Sequence, residues 1–107
     1  MPLALDNVEI ATVAIDSAGQ LFVQPLLPSG TDFAYIYRAA MEVRWNSVSR
    51  QLMAPAPREW SQAEWFKQIV RAVRDEYGVQ LFLSPATQWA NVSPQDRAEI
   101  ESWVSSE

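Results

Sequence analysis

Trp60-Ser61-Gln62-Ala63-Glu64-Trp65 fixes where the longest helix of this chain begins, and the remaining elements are read outward from it. Ser61 and Glu64 have the spacing of a capping box, in which the serine oxygen accepts from the third helical N–H and the glutamate reaches back to the cap. Trp60 and Trp65 occupy the N′ and N4 positions of a hydrophobic staple, so their rings are expected to pack together across the first turn. Beyond them Phe66, Ile69, Val70, Val73 and Tyr77 recur at spacings of three and four, and Gly78 follows as a stop. A stripe of this kind is expected to face a sheet.

The residues before the helix supply strands. Residues 8–15 are rich in β-branched side chains, with Val8, Ile10 and Thr12 on one face and Ala11, Val13 and Ile15 on the other, which predicts a strand covered on both sides. Asp16-Ser17-Ala18-Gly19 is a turn with glycine placed for a positive φ, and Leu21-Phe22-Val23 returns as the second half of a hairpin. Pro25 and Pro28 end it, because proline has no N–H to give a ladder. Residues 31–40 fit a helix through Phe33, Ile36, Tyr37 and Ala40, and a strand face through Phe33, Tyr35 and Tyr37; a short helix is preferred. Residues 42–46 and 51–54 read as a second hairpin turning through Ser47 to Arg50, stopped by Pro55 and Pro57.

After the long helix, residues 79–83 form an apolar run expected to be a central strand, broken at Ser84-Pro85. Ser93 as N-cap, Pro94 at N1 and Asp96 at N3 open a last helix that offers Ile100, Trp103 and Val104 to the core. The order predicts a single α+β domain over residues 1–107: a mostly antiparallel sheet of about five strands with the long helix and the C-terminal helix packed on it. An open β-barrel with helices is the alternative.

Composition narrows the chemistry. A chain of 107 residues with 49% hydrophobic and 20% charged residues is ordinary for a folded domain, and buries roughly two thirds of its unfolded surface. It has neither cysteine nor histidine, which removes disulfides, Cys/His metal sites, thiol nucleophiles and imidazole bases. No metal ligand set and no cofactor motif is found, so no cofactor is expected. A net charge of −5 argues against nucleic acid as a partner. No run of apolar residues is long enough to cross a membrane as a helix, and residues 1–7 lack a basic targeting segment; a cytoplasmic protein without membrane contact is expected.

The charge is uneven. Between residues 35 and 60, Arg38, Arg44, Arg50 and Arg58 stand against Glu42 and Glu59, so this segment carries +2 and the rest of the chain −7 of the net −5. Interleaved with these arginines are Tyr35, Tyr37, Trp45 and Trp60. Tyr35, Tyr37, Arg38, Arg44, Trp45, Arg58 and Trp60 are therefore the candidate binding residues, suited to a planar or anionic ligand through stacking and forked hydrogen bonds. Two considerations oppose a pocket. Arg38 and Arg44 have Glu42, Glu59 and Asp32 available for surface pairing, and Arg44 and Trp45, adjacent in a strand, point to opposite faces. Lys67, Arg71 and Arg74 form a further basic stripe, expected to pair with Glu64 and Asp75 as a solvated helix face. Carboxylates that could do acid/base work have structural duties to hand: Asp16 in the turn, Asp96 at the cap, Asp75 beside Arg71. No catalytic residue is assigned.

The run Tyr35-Ile36-Tyr37-Arg38-Ala39-Ala40-Met41-Glu42-Val43-Arg44-Trp45, followed by Pro55-Ala56-Pro57-Arg58-Glu59-Trp60, resembles a small bacterial family of integron mobile gene cassette proteins. The resemblance covers most of residues 8–104 and implies a compact, self-associating α+β protein with no established activity. It transfers no catalytic residue.

The expected function is a non-enzymatic binding or interaction module, homodimeric, in which the Arg/aromatic surface meets a small anionic or aromatic ligand or a protein partner. Acidic residues of a mate, such as Glu99 and Glu101, are candidate counterparts. The alternatives are a small-ligand-binding protein or histidine-independent carboxylate enzyme, and an acidic inhibitor or immunity protein for a basic partner.

Overall fold

Asp16 starts the structure's first long-range decision by closing a hairpin. Its carboxylate accepts from the Ala18 and Gln20 N–H groups, both at 2.9 Å, and Gly19 takes φ +84°. The turn joins β1 (Asn7–Ile15) to β2 (Leu21–Pro25) in the computed structural model of the chain, which describes residues 7–27, 32–40, 42–54 and 61–106. The second hairpin, β3 (Arg44–Asn46) with β4 (Gln51–Ala54), turns through residues 47–50, where the Asn46 side chain accepts from Val48 and Ser49 N–H and Arg50 takes φ +57°. β4 pairs antiparallel with β2, so four strands form one antiparallel run, β3-β4-β2-β1.

The sheet is completed in parallel. β5 (Gln80–Phe82) and β6 (Gln88–Ala90) both pair with β1, the first along Asn7–Glu9 and the second along Thr12–Ala14. The expected central strand at 79–83 is thus marginal: β1 and β2 hold the middle. A parallel return needs a crossover, and the long helix between β4 and β5 provides it. β6 was not anticipated, since three residues broken off by Ser84-Pro85 give too little pattern to read.

A bulge explains both the split margin and an error of phase. Ile10 faces Pro25 while Thr12 faces Gln24, which leaves Ala11 as an extra residue in β1. The core face therefore runs Val8, Ile10, Val13, all at most 4% exposed, and not Val8, Ile10, Thr12. The opposite positions are half-buried, so β1 is less covered than expected. At the bulge the loop between β5 and β6 turns back on itself. Thr87 donates to the Ile10 carbonyl at 2.7 Å and accepts from Ser84 N–H at 3.0 Å, and the Ser84 hydroxyl donates to Glu9 at 2.6 Å.

Helix α1 (Gln62–Tyr77) begins where the capping signal places it, with Glu64 N–H donating to the Ser61 hydroxyl at 3.2 Å. It ends at Gly78, whose φ of +70° accepts the left-handed cap. Ala63, Phe66, Ile69, Val70, Ala72 and Val73 are buried against β2, β4 and β5. Trp65 is half-buried against the core, while its staple partner Trp60 lies outside the described residues. Helix α2 (Pro94–Ser106) is capped by Ser93 and packs on α1 through the fully buried Ile100 and the partly buried Trp103 and Val104. The architecture is an α+β sandwich with an open mixed sheet, and the barrel alternative is set aside because β3 and the β5/β6 margin do not meet.

Candidate functional site

Residues 32–40 hold the candidate site, and they form less helix than predicted. Asp32 accepts from Ala34 N–H at 3.1 Å, and a single 3-10 turn follows over Ile36–Arg38. Phe33, Ile36 and Ala40 are buried, whereas Tyr37, expected on the same stripe, is 51% exposed and Tyr35 is 53% exposed. A segment this short cannot offset the cost of helix nucleation, and the chain must turn at once into β3. Its position is set from outside. The Tyr77 ring lies 4.8 Å from Phe33, and the Tyr77 hydroxyl accepts from Tyr35 N–H at 2.9 Å, so the last turn of α1 docks the segment. Burial of that hydroxyl raises its pKa above the ordinary 10.0, with the Tyr35 hydrogen bond opposing.

Two neighbouring groups emerge from the candidate residues. In the first, the Arg38 guanidinium lies 4.7 Å from the centre of the Tyr35 ring and 3.6 Å from the Glu76 carboxylate. Among the described residues its partner is Glu76, where Asp32 or Glu42 was expected; Glu59 lies outside the described residues. In the second, Tyr37, Arg44 and Trp45 line an open cleft of about 400 Å³ together with Ala34. The Tyr35 and Tyr37 rings, 6.3 Å apart, connect the two. Arg44 and Trp45 reach one cleft despite their opposite strand faces, because β3 is the outermost strand and the 3-10 turn packs beside it. Arg58 and Trp60 lie outside the described residues.

Trp45 is held before anything binds. Phe33 meets it edge-on at 5.6 Å with the ring planes at 75°, and the Arg50 guanidinium sits 5.9 Å from its ring centre. Among the described residues Arg44 has no carboxylate within ion-pair distance. Sequence reasoning missed Glu76, Tyr77 and Ala34 as parts of this region; the signal available was that Glu76 and Tyr77 close the apolar stripe just before Gly78.

The basic stripe on α1 is occupied. Lys67 contacts Glu64 at 3.4 Å and Glu99 at 3.1 Å, and the Glu99 hydrogen bond raises its pKa against the opposing effect of burial. Arg71 lies 5.5 Å from the Trp103 ring, where Asp75 was expected as its partner. Glu101 pairs with Arg97, whose guanidinium also covers Trp89 at 4.8 Å. Both carboxylates expected to meet a mate, Glu99 and Glu101, thus have partners within the chain. Among the described residues no three acidic groups gather to hold a metal ion, and no helix is long and apolar enough to cross a membrane.

A solved structure from the mobile metagenome of North West Arm Sewage Outfall, Integron Cassette Protein Hfx_Cass5, is 44% identical over 92% of this chain and 95% of its own, with a TM-score of 0.41. No curated protein matches the chain. The family model of Integron Cassette Protein Hfx_Cass5 matches residues 6–87, a span that runs from β1 through the 3-10 turn, the cleft and α1 into the Ser84–Thr87 loop. On that match, which spans more than half of its residues, the chain belongs to the Hfx_Cass5 family of integron cassette proteins.

Proposed function

We propose that this protein is a non-enzymatic, self-associating binding module of the cytoplasm whose contact surface is formed by Tyr35, Tyr37, Arg38, Arg44 and Trp45. The observation that carries the reading is the pair of half-exposed tyrosines, Tyr37 lining the open cleft and Tyr35 beside it, on a segment anchored from beneath by Phe33, Ile36 and Tyr77. Rigid aromatic side chains with arginine beside them are enriched where proteins make contact, because they bury much area for little lost freedom. A two-fold interface must satisfy both copies, and this surface carries both signs: Arg38 and Arg44 with the exposed Asp32 and Glu42.

Binding is favoured over catalysis by what the carboxylates do. Asp16 holds a turn, Glu9 accepts from Ser84, Glu76 faces Arg38, Glu64 and Glu99 share Lys67, and Glu101 faces Arg97. Light scattering at high protein concentration and low salt tests self-association. A dimer is expected, converted to monomer by the double substitution Tyr35→Ser and Tyr37→Ser. A wild-type monomer under those conditions refutes it.

A further inference from the structure

We propose that the cleft between the 3-10 turn and β3 takes a planar aromatic monocarboxylate, with its carboxylate on Arg44 and its ring against Tyr37 and Trp45. This rests on reading the Arg/aromatic surface as the contact surface, and it adds the class of ligand.

The two arginines of the surface differ in what they have left to offer. Arg38 already faces Glu76 and covers Tyr35. Arg44 is exposed on β3, lines the cleft, and has no carboxylate within ion-pair distance among the described residues. Among the described residues one guanidinium without a carboxylate partner therefore lines the cleft, and its planar fork matches a carboxylate through two parallel hydrogen bonds. A second negative charge is disfavoured. The protein carries −5 overall, and Asp32 and Glu42 stand exposed in the flanking turns, so the surrounding field opposes a dianion such as phosphate.

The ring follows from the remaining walls. Trp45 is fixed by the edge-on Phe33, so little side-chain freedom is lost when a ligand settles on it. Tyr37 supplies a second aromatic wall, and Ala34 fills little of the space between. A volume of about 400 Å³ suits an acid of one or two rings.

The test is an NMR titration of the ¹⁵N-labelled full chain with benzoate and with indole-3-acetate, against benzamide, acetate and inorganic phosphate. Saturable shifts of the Trp45 indole N–H and the Arg44 amide are expected with the two aromatic acids, and weaker binding with the other three. Arg44→Gln is expected to lower affinity about tenfold or more, the loss of a charge-assisted contact. Arg97→Gln, on α2 and outside the contact surface, is expected to leave affinity unchanged. Arg44 is exposed, so its substitution leaves the fold intact, and a melting curve verifies this. Benzamide or phosphate binding as well as benzoate overturns the assignment, as does an Arg44→Gln variant that binds undiminished, or an absence of any shift. Light scattering on the same samples separates the two readings. If no acid binds yet Tyr35→Ser with Tyr37→Ser still abolishes self-association, the ligand class fails and the contact surface stands. If the acids bind at Arg44 in a monomer, the ligand class stands and self-association fails.

Discussion

Thr87→Val removes the hydroxyl that ties the split margin of the sheet to the bulge in β1, and its cost is set by the groups it abandons. Thr87 is 6% exposed, and its oxygen both donates to the Ile10 carbonyl at 2.7 Å and accepts from Ser84 N–H at 3.0 Å. Valine keeps the shape, so no cavity opens, and the change isolates the two hydrogen bonds. A buried polar group stripped of its partner costs about 1–3 kcal/mol. The Ile10 carbonyl belongs to a fully buried residue and bears the larger share; Ser84 is half-buried, so water recovers part of its loss. The expected destabilisation is about 2–3 kcal/mol, a large fraction of the roughly 5–15 kcal/mol that holds a domain folded. Urea unfolding should show the midpoint falling at constant slope, with a drop in melting temperature of about 10 °C or more. Hydrogen exchange should quicken along β6, whose pairing with Thr12–Ala14 depends on the loop staying closed. Thr87→Ser, which keeps the oxygen and gives up a methyl, should cost only about 1 kcal/mol. A loss below about 0.5 kcal/mol for valine refutes the account, because that is the range of a surface change touching nothing.

Two further outcomes follow from the helix ends. Ser61→Ala deletes the oxygen that accepts from Glu64 N–H at 3.2 Å and should cost about 1 kcal/mol in urea unfolding, with Ser61→Asp restoring most of it. Tyr77 has its pKa raised above 10.0 chiefly by burial, so the neutral phenol is the form the fold prefers; the associated stability is complete below pH 10 and is lost as pH rises through the higher folded value. Lys67, raised above 10.5 chiefly by its hydrogen bond to Glu99, loses its contribution in the same direction. Tyr77→Phe should therefore flatten, without abolishing, the fall in melting temperature above pH 10, and should cost about 1 kcal/mol at neutral pH through the Tyr35 hydrogen bond.

What could be read from the residues was local, and what could not was the meeting of distant ones. Ser61, Ser93 and Asp16 each act on a backbone N–H within four residues, and their elements begin or turn where expected. The phase of β1 depends instead on its partner. Ile10-Ala11-Thr12-Val13 is apolar enough to alternate either way, and only the regular burial of Leu21, Val23 and Pro25 across from it selects the bulged register. β5 and β6 are each three residues long and lean on one strand, so neither carries the alternation that would announce it.

The same distinction governs the candidate site. In the sequence Arg38 and Arg44 are equivalent cations among aromatic residues; the fold makes them different by where α1 stops. Ser61 sets the start of that helix and the left-handed Gly78 its end, and sixteen helical residues between them carry Glu76 and Tyr77 to the 3-10 turn. There Glu76 faces Arg38 while Tyr77 pins Tyr35, and among the described residues that line the cleft the cation is Arg44. Inserting or deleting one residue between Ser61 and Glu76 would turn Glu76 through about 100° around the axis and away from Arg38. The chemistry of the cleft is in this sense a property of the helix length, which the capping serine and the terminal glycine encode from outside the site.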